Sequence, residues 1–224
     1  MRRNPLEGLD GIVRRIDQRL SAKERVRERT IALSRELVRS CAEAIRSLRN
    51  RERSARLLAG ARGIAARIRR ETSDHPELFN SGTVENALQE LAEAFILDAI
   101  VNGRPLPPPE ALDCTPTAYL LGMGDAIGEL RRMAQDALRR GDLAGAEEML
   151  GVMEGLFSAL NLFDYPDAIV PLKHKQDVAR GLIEKTRGEV AVAARGRELE
   201  EKIAALERVL GRQRAPALRR DLRR

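Results

Sequence analysis

The chain contains no tryptophan and only six other aromatic residues, two Tyr and four Phe, among 224. So few aromatics argue against a β-rich core, where large flat side chains are the usual filling, and favour long solvated helices. Histidine is almost as scarce, with only His75 and His174, and cysteine stops at Cys41 and Cys114. Two lone thiols with no CxxC pair exclude a disulfide scaffold and a Cys-rich zinc site, and they fit a reducing cytoplasm. Nor does the opening MRRNPLEGLDG lead into an apolar stretch of signal-peptide or membrane-span length, so a soluble, cytoplasmic protein without a membrane partner is expected. Glycine-rich phosphate loops, Ser/His/Asp sets and Cys/His nucleophile pairs are all missing. Strand-like alternation and solenoid-length repeats are missing too.

Charge is abundant but unevenly placed. Residues 1–72 hold 20 Lys/Arg against 9 Asp/Glu, residues 73–171 hold 5 against 17, and residues 172–224 hold 15 against 8. The net +6 therefore conceals a basic, acidic, basic order. Basic ends recruit polyanions through counterion release, while an acidic centre repels them unless its carboxylates are paired, solvated or holding metal ions. Of the 40 basic residues 35 are Arg, whose planar fork grips phosphate, although heat adaptation or a GC-rich genome produces the same bias.

Helical periodicity organises the chain. A short amphipathic segment covers about 6–20, and Ser21 with Glu24 has the capping-box spacing for the start of a long helix. That helix repeats Val26, Leu33, Leu37, Cys41, Ala44 and Leu48 at three-, four- and seven-residue intervals, and a second segment, about 51–71, continues it as a hairpin or bent rod. Further helices are read over about 83–101, 116–140 and 142–160, with a last long one from about 167 towards 211. Thr115 and Pro116 supply an N-cap and first-turn pair, and GRPLPPPEALDCTP reads as a proline-stiffened loop. The expectation is an all-α, single-domain bundle of six or seven helices: an N-terminal segment 1–20, a main domain 21–195, and an extension with a mobile basic tail over 196–224. Leu199, Ile203, Leu206 and Leu210, at four-three-four spacing, either zip against another chain or form a solvated extension.

Two of these helices each carry a pair of acids on one face. Glu90 and Glu93 are three apart in LQELAEAF, and Asp125 and Glu129 are four apart in YLLGMGDAIGEL. The second pair lies among Leu120, Leu121, Met123, Ile127 and Leu130, and three glycines, Gly122, Gly124 and Gly128, surround it at ~1 kcal/mol each relative to Ala in a helix. Like carboxylates repel, more so when desolvated, and something must compensate. One solution is a hard cation, Mg²⁺ or Mn²⁺, on an all-oxygen site suited to phosphodiester cleavage; the missing Glu-x-x-His motif argues against di-iron. The other solution is ordinary: salt bridges to arginines such as Arg131 or Arg132, or solvent. Arg35, Arg39, Arg46, Arg49 and Arg53 fall near one face of the N-terminal helices and are candidate phosphate contacts, with a solvated face or subunit-interface ion pairs as the competing reading. Lys173, His174 and Lys175 form a further basic cluster able to touch RNA, and Tyr119 is either a base-stacking or a core aromatic.

YLLGMGDAIGELRRM resembles the signature helix of translin and translin-associated factor X, and LQELAEAF resembles the preceding acidic helix of the latter. RELVRSCAEAIRSL at 35–48, TSDHPELFNSGTVENALQE at 72–90 and LKHKQDVARGLIEKTRGEV at 172–190 extend the likeness in the same order over about 20–195, in a form most similar to archaeal members. The resemblance implies a helical bundle assembling into a hollow eight-subunit shell with its acids facing inward. It also implies a metal-dependent endoribonuclease on single-stranded RNA, with single-stranded DNA as a second ligand. The catalytic subunit's Glu-x-x-Glu and Asp-x-x-x-Glu are matched here by Glu90, Glu93, Asp125 and Glu129. The basic, His-containing patch of plain translin subunits has no clear match, nor do the residues after about 195. A noncatalytic single-stranded nucleic-acid-binding shell and a helical scaffold are the rival readings.

Overall fold

The computed structural model describes Leu6, residues 8–50 and residues 54–221, with side chains as far as Arg208. Among these are seven α-helices and no strand, the all-α bundle that the composition implies. The helices are α1 (Leu9–Arg49), α2 (Ala55–Glu71), the single turn α3 (Pro76–Phe79), α4 (Gly82–Val101), α5 (Pro116–Arg139), α6 (Leu143–Leu160) and α7 (Lys173–Asp221). A 3₁₀ turn at Pro109–Leu112 interrupts the proline loop. No described helix is long and apolar enough to cross a membrane.

The first helix corrects one expectation. No cap forms at Ser21: α1 runs unbroken through it from Gly8, whose left-handed backbone, φ 85°, starts the helix instead. Glu24 turns outward to Arg27 at 3.0 Å rather than back to the Ser21 amide. A capping-box spacing carries little weight when helical periodicity continues on both sides of it. The final helix also starts later than expected, at Lys173, because Pro166 and Pro171 shape the approach. Ile169 and Val170 both donate to the Pro166 carbonyl, and Pro171 has no N–H to offer and restricts Val170. Other boundaries follow the sequence closely. The Thr115 hydroxyl accepts from Ala118 N at 3.0 Å, and Asp142 accepts from Gly145 N at 3.0 Å.

Helix α1 buries Leu33, Leu37, Cys41, Ala44 and Leu48, packing against α2 as a hairpin and against α4. Beyond the bundle its N-terminal turns leave Ile12, Val13, Ile16 and Leu20 exposed. Helix α4 is covered almost all round, with Leu88, Leu91, Ile96 and Leu97 fully buried. Its far side meets α5, which in turn meets α6 and α7. Asp98 ties the end of α4 to the start of α2 by accepting from Ser54 Oγ at 2.9 Å, and it also pairs with Arg104. Thus α4 and α5 form the centre of the bundle, and the acid pairs belong to these two helices.

The exposed run of Leu199, Ile203 and Leu206 lies along α7 where no other described element covers it; the side chain of Leu210 is outside the described residues. The backbone of α7 continues to Asp221, and the side chains of the basic tail that follows Gln213 also lie outside the described residues.

Candidate active site

The close approach of α4 and α5 is set by one residue. A Cβ on Gly122 would stand 2.5 Å from Gln89 O and 2.9 Å from both Ala92 Cβ and Glu93 N, so only glycine lets the two backbones lie at this distance. This contact brings Glu90 and Glu93 alongside Asp125 and Glu129. Gln89 Nε2 donates to Asp125 Oδ2 at 2.5 Å, linking the two helices across the cluster.

The two acids of α4 feel the charges of the two on α5. Glu93 is only 7% exposed, and its carboxyl is pushed up to about 8 by burial first and then by the charges of Glu90, Asp125 and Glu129, with Lys175 opposing them. Glu90 is raised for the same reasons, burial foremost, then Asp125. Beneath the pair, burial of Cys41 together with Glu90 and Glu93 pushes its thiol far above the ordinary range. Cys41 is therefore a core thiol and not a nucleophile.

Cations from three elements compensate this charge. Lys175, in the first turn of α7, pairs with Asp125 Oδ1. Arg132 reaches Glu129 Oε1 at 2.7 Å, and Arg49 Nη1 lies 3.8 Å from Glu129 Oε2. Among the described residues, Glu129 Oε2 and Arg49 Nε are nonetheless buried without a hydrogen-bond partner. Among the described residues no three Asp, Glu, His or Cys side chains are gathered tightly enough to hold a metal ion; the nearest partners of Asp125 and Glu129 are the cations and Gln89. The donor set still suits a hard divalent cation. It is all oxygen, mutually repelling, and includes a buried carboxylate oxygen that accepts no hydrogen bond from a described residue.

The arginine stripe divides. Arg35, Arg39 and Arg46 are exposed on the side of α1 opposite Leu37, Ala44 and Leu48, and form no ion pair among the described residues. Arg49 is turned instead towards Glu129, and Arg53 lies outside the described residues. Arg131 bonds Thr186 Oγ1 and Glu189, both at 2.7 Å, and leaves Glu129 to Arg132. Tyr119 is a core aromatic whose hydroxyl donates to Pro107 O at 2.7 Å. His174 and Lys173 are exposed, while Lys175 is drawn inward. Sequence reasoning overlooked Gln89 and the inward role of Lys175. The first was detectable, since Gln89 shares a helix face with Glu93 four residues on. A cavity of about 790 Å³ opens beyond Arg49, lined by Leu48, Ser54, Asp98, Met133 and Met149, and none of the four acids borders it.

The shifted carboxyls make stability depend on pH. Between its ordinary value near 4.5 and about 8, folded Glu93 holds a proton that the unfolded chain releases. Stability must then fall as pH rises through that window and level off above it. With divalent ions chelated, the urea midpoint is expected to drop between pH 5.5 and 8, and Glu93→Gln to flatten the slope. A parent profile that is already flat would refute the assignment.

The Translin family model matches residues 73–188, more than half the chain and the stretch that holds all four acids. The chain belongs to the translin family. An uncharacterised protein of Methanocaldococcus jannaschii is 32% identical to this translin-family chain over 191 residues, 84% of the chain and 85% of that protein. The crystal structure of AfC3PO is 33% identical with a TM-score of 0.76, covering 83% of this chain and 98% of that one. AfC3PO in complex with duplex RNA is 31% identical, TM-score 0.75, over 83% and 97%. Apo-NeC3PO, at 20% identity, TM-score 0.71, and 86% and 98% coverage, shares the fold.

Proposed function

We propose that this translin-family protein is a metal-dependent endoribonuclease acting on single-stranded RNA, of the catalytic translin-associated factor X type. The observation that carries the reading is the complete acid set on two central helices, with a buried Glu129 oxygen that accepts no hydrogen bond from a described residue. Glu90, Glu93, Asp125 and Glu129 would hold Mg²⁺ or Mn²⁺. The ion would supply activation of water and stabilisation of charge on the leaving oxygen. The chain's own residues set up that chemistry: Gly122 fixes the distance between the pairs, Gln89 orients Asp125, and burial keeps a proton on Glu93 up to about pH 8 when no cation offsets it.

RNA binding is supported by the likeness to AfC3PO, which has been seen with duplex RNA. On this chain Arg35, Arg39 and Arg46, exposed and without an ion pair among the described residues, are the candidate phosphate contacts, with Arg49 and Arg53 beside them, and single-stranded DNA is a further ligand. The resemblance to hollow family members supports a homo-octamer with the acids inward, a state that light scattering of the purified protein measures. A cytoplasmic setting accords with the two free cysteines. A second reading, a noncatalytic nucleic-acid-binding shell, draws on Lys175, Arg132 and Arg49, which already pair with the acids. Labelled single-stranded and duplex RNA, incubated with Mg²⁺, Mn²⁺ or EDTA, separates the two. Cleavage of the single strand in metal, abolished by EDTA, is expected; binding with no cleavage in any metal would leave only the second reading.

A further inference from the structure

Helix α7 lies along α5 in parallel register. Lys175 packs against Gly124, Leu182 faces Gly128, and Thr186 takes Arg131. A Cβ on Gly124 would stand 3.1 Å from Lys175 Cβ and 3.4 Å from its Cγ, so the glycine makes room for this one aliphatic stem. The stem is therefore seated in a groove beside the acids, and its ammonium pairs with Asp125 Oδ1. Gln89 takes the other oxygen, Oδ2. Both Asp125 oxygens thus have protein partners, one a fixed amide on the neighbouring helix and one a flexible ammonium. Lys173 and His174, its neighbours in sequence, are exposed and take no part in the cluster.

We propose that Lys175 is a resident, displaceable counter-ion of the acid cluster: it neutralises Asp125 until a divalent cation binds, and gives up Oδ1 to that cation. This rests on the acids being the metal site argued above. A divalent cation that takes Asp125 as a ligand must compete for an oxygen already held, and of its two partners the ammonium is the one on a long rotatable stem. The half-buried side chain, 26% exposed, can swing to solvent without opening the core. In this role Lys175 is a positioning residue, setting the metal concentration at which the site fills.

The test reads metal binding directly. Mn²⁺ titration, followed by the electron paramagnetic resonance signal of the free ion, is expected to show about tenfold tighter binding in Lys175→Met, which keeps the stem and removes the competing charge. Lys175→Arg, which keeps the charge, is expected to stay within about threefold of the parent. Equal Mn²⁺ affinity in parent and Lys175→Met, or weaker binding in the variant, would overturn the counter-ion role while leaving the acid site in place. No Mn²⁺ binding by either protein would overturn the acid site, and this inference with it. Should Lys175→Met fail to fold, the parent protein gives the same answer. Acetylation of Lys175 by a small activated ester, followed by mass spectrometry, is expected to accelerate severalfold on Mn²⁺ addition while exposed Lys173 stays constant; no change at Lys175 counts against displacement.

Discussion

Glu129→Ala is expected to lower metal-dependent cleavage of single-stranded RNA by at least about 10²- to 10³-fold. Lewis-acid stabilisation of transition-state charge contributes several kcal/mol, and each ~1.4 kcal/mol is a factor of ten in rate. Of the four acids, Glu129 is the one with a buried oxygen that accepts no hydrogen bond from a described residue, Arg49 facing it only at 3.8 Å, so its loss removes a ligand together with two ion pairs. Arg132 loses a partner but is 63% exposed and is solvated at small cost. Arg49 is less exposed and loses the carboxylate it faces, so Glu129→Gln, which keeps the shape, is the matched control for folding. Binding of RNA should stay within about twofold of the parent, because Arg35, Arg39 and Arg46 lie on the outer face of α1 and do not touch the cluster. Affinity and single-turnover cleavage measured on one preparation give both numbers. Undiminished cleavage by Glu129→Ala would remove this residue from the site, and parallel loss of binding would place it in the RNA contact instead.

The acid cluster was legible in the sequence to different depths. Each pair was readable as a helix face, since spacings of three and four residues fix which side chains share a side. That the faces meet was not readable, because the distance between α4 and α5 depends on the Gly122 contact with the backbone of Gln89 and Glu93, and periodicity says nothing about which helices are neighbours. The cost of the glycines was the available signal: residues unfavourable in a helix, gathered around Asp125, marked a place where something approaches closely. At Gly122 that something is the α4 backbone, and at Gly124 it is the stem of Lys175. Lys175 itself was hidden by its company. Two exposed basic neighbours made it look like part of a surface cluster, and only the parallel packing of α7 on α5 sends it inward. The pairing of Arg49 with Glu129 was not readable either, because a stripe of arginines at helical spacing does not show where the core-facing edge begins. The capping-box spacing at Ser21 misled for a simpler reason, since local cap chemistry yields to uninterrupted helical periodicity.

Gly122→Ala is expected to destabilise the fold by about 2–3 kcal/mol, although alanine is the better helix former by ~1 kcal/mol in isolation. The added methyl would meet Gln89 O at 2.5 Å and Glu93 N at 2.9 Å, and these are backbone atoms of a helix buried nearly all round, not side chains able to turn away. Relief requires α4 and α5 to separate by several tenths of an ångström or to slide, at the centre of the core. At roughly 2–4 °C per kcal/mol for a chain of this size, the thermal midpoint should fall by about 5–10 °C. The same separation moves Glu90 and Glu93 away from Asp125 and Glu129 and strains the bond from Gln89 to Asp125, so cleavage measured well below the midpoint should fall by about tenfold or more. Gly63→Ala is the matched comparison. Gly63 lies within α2, and nothing stands within 4 Å of a Cβ built there, so the same substitution should stabilise slightly through helix propensity alone. If Gly122→Ala behaves as Gly63→Ala does, unchanged or more stable with full activity, then the two acid-bearing helices do not rest on this glycine, and the geometry that draws the four carboxylates together must be held by another contact.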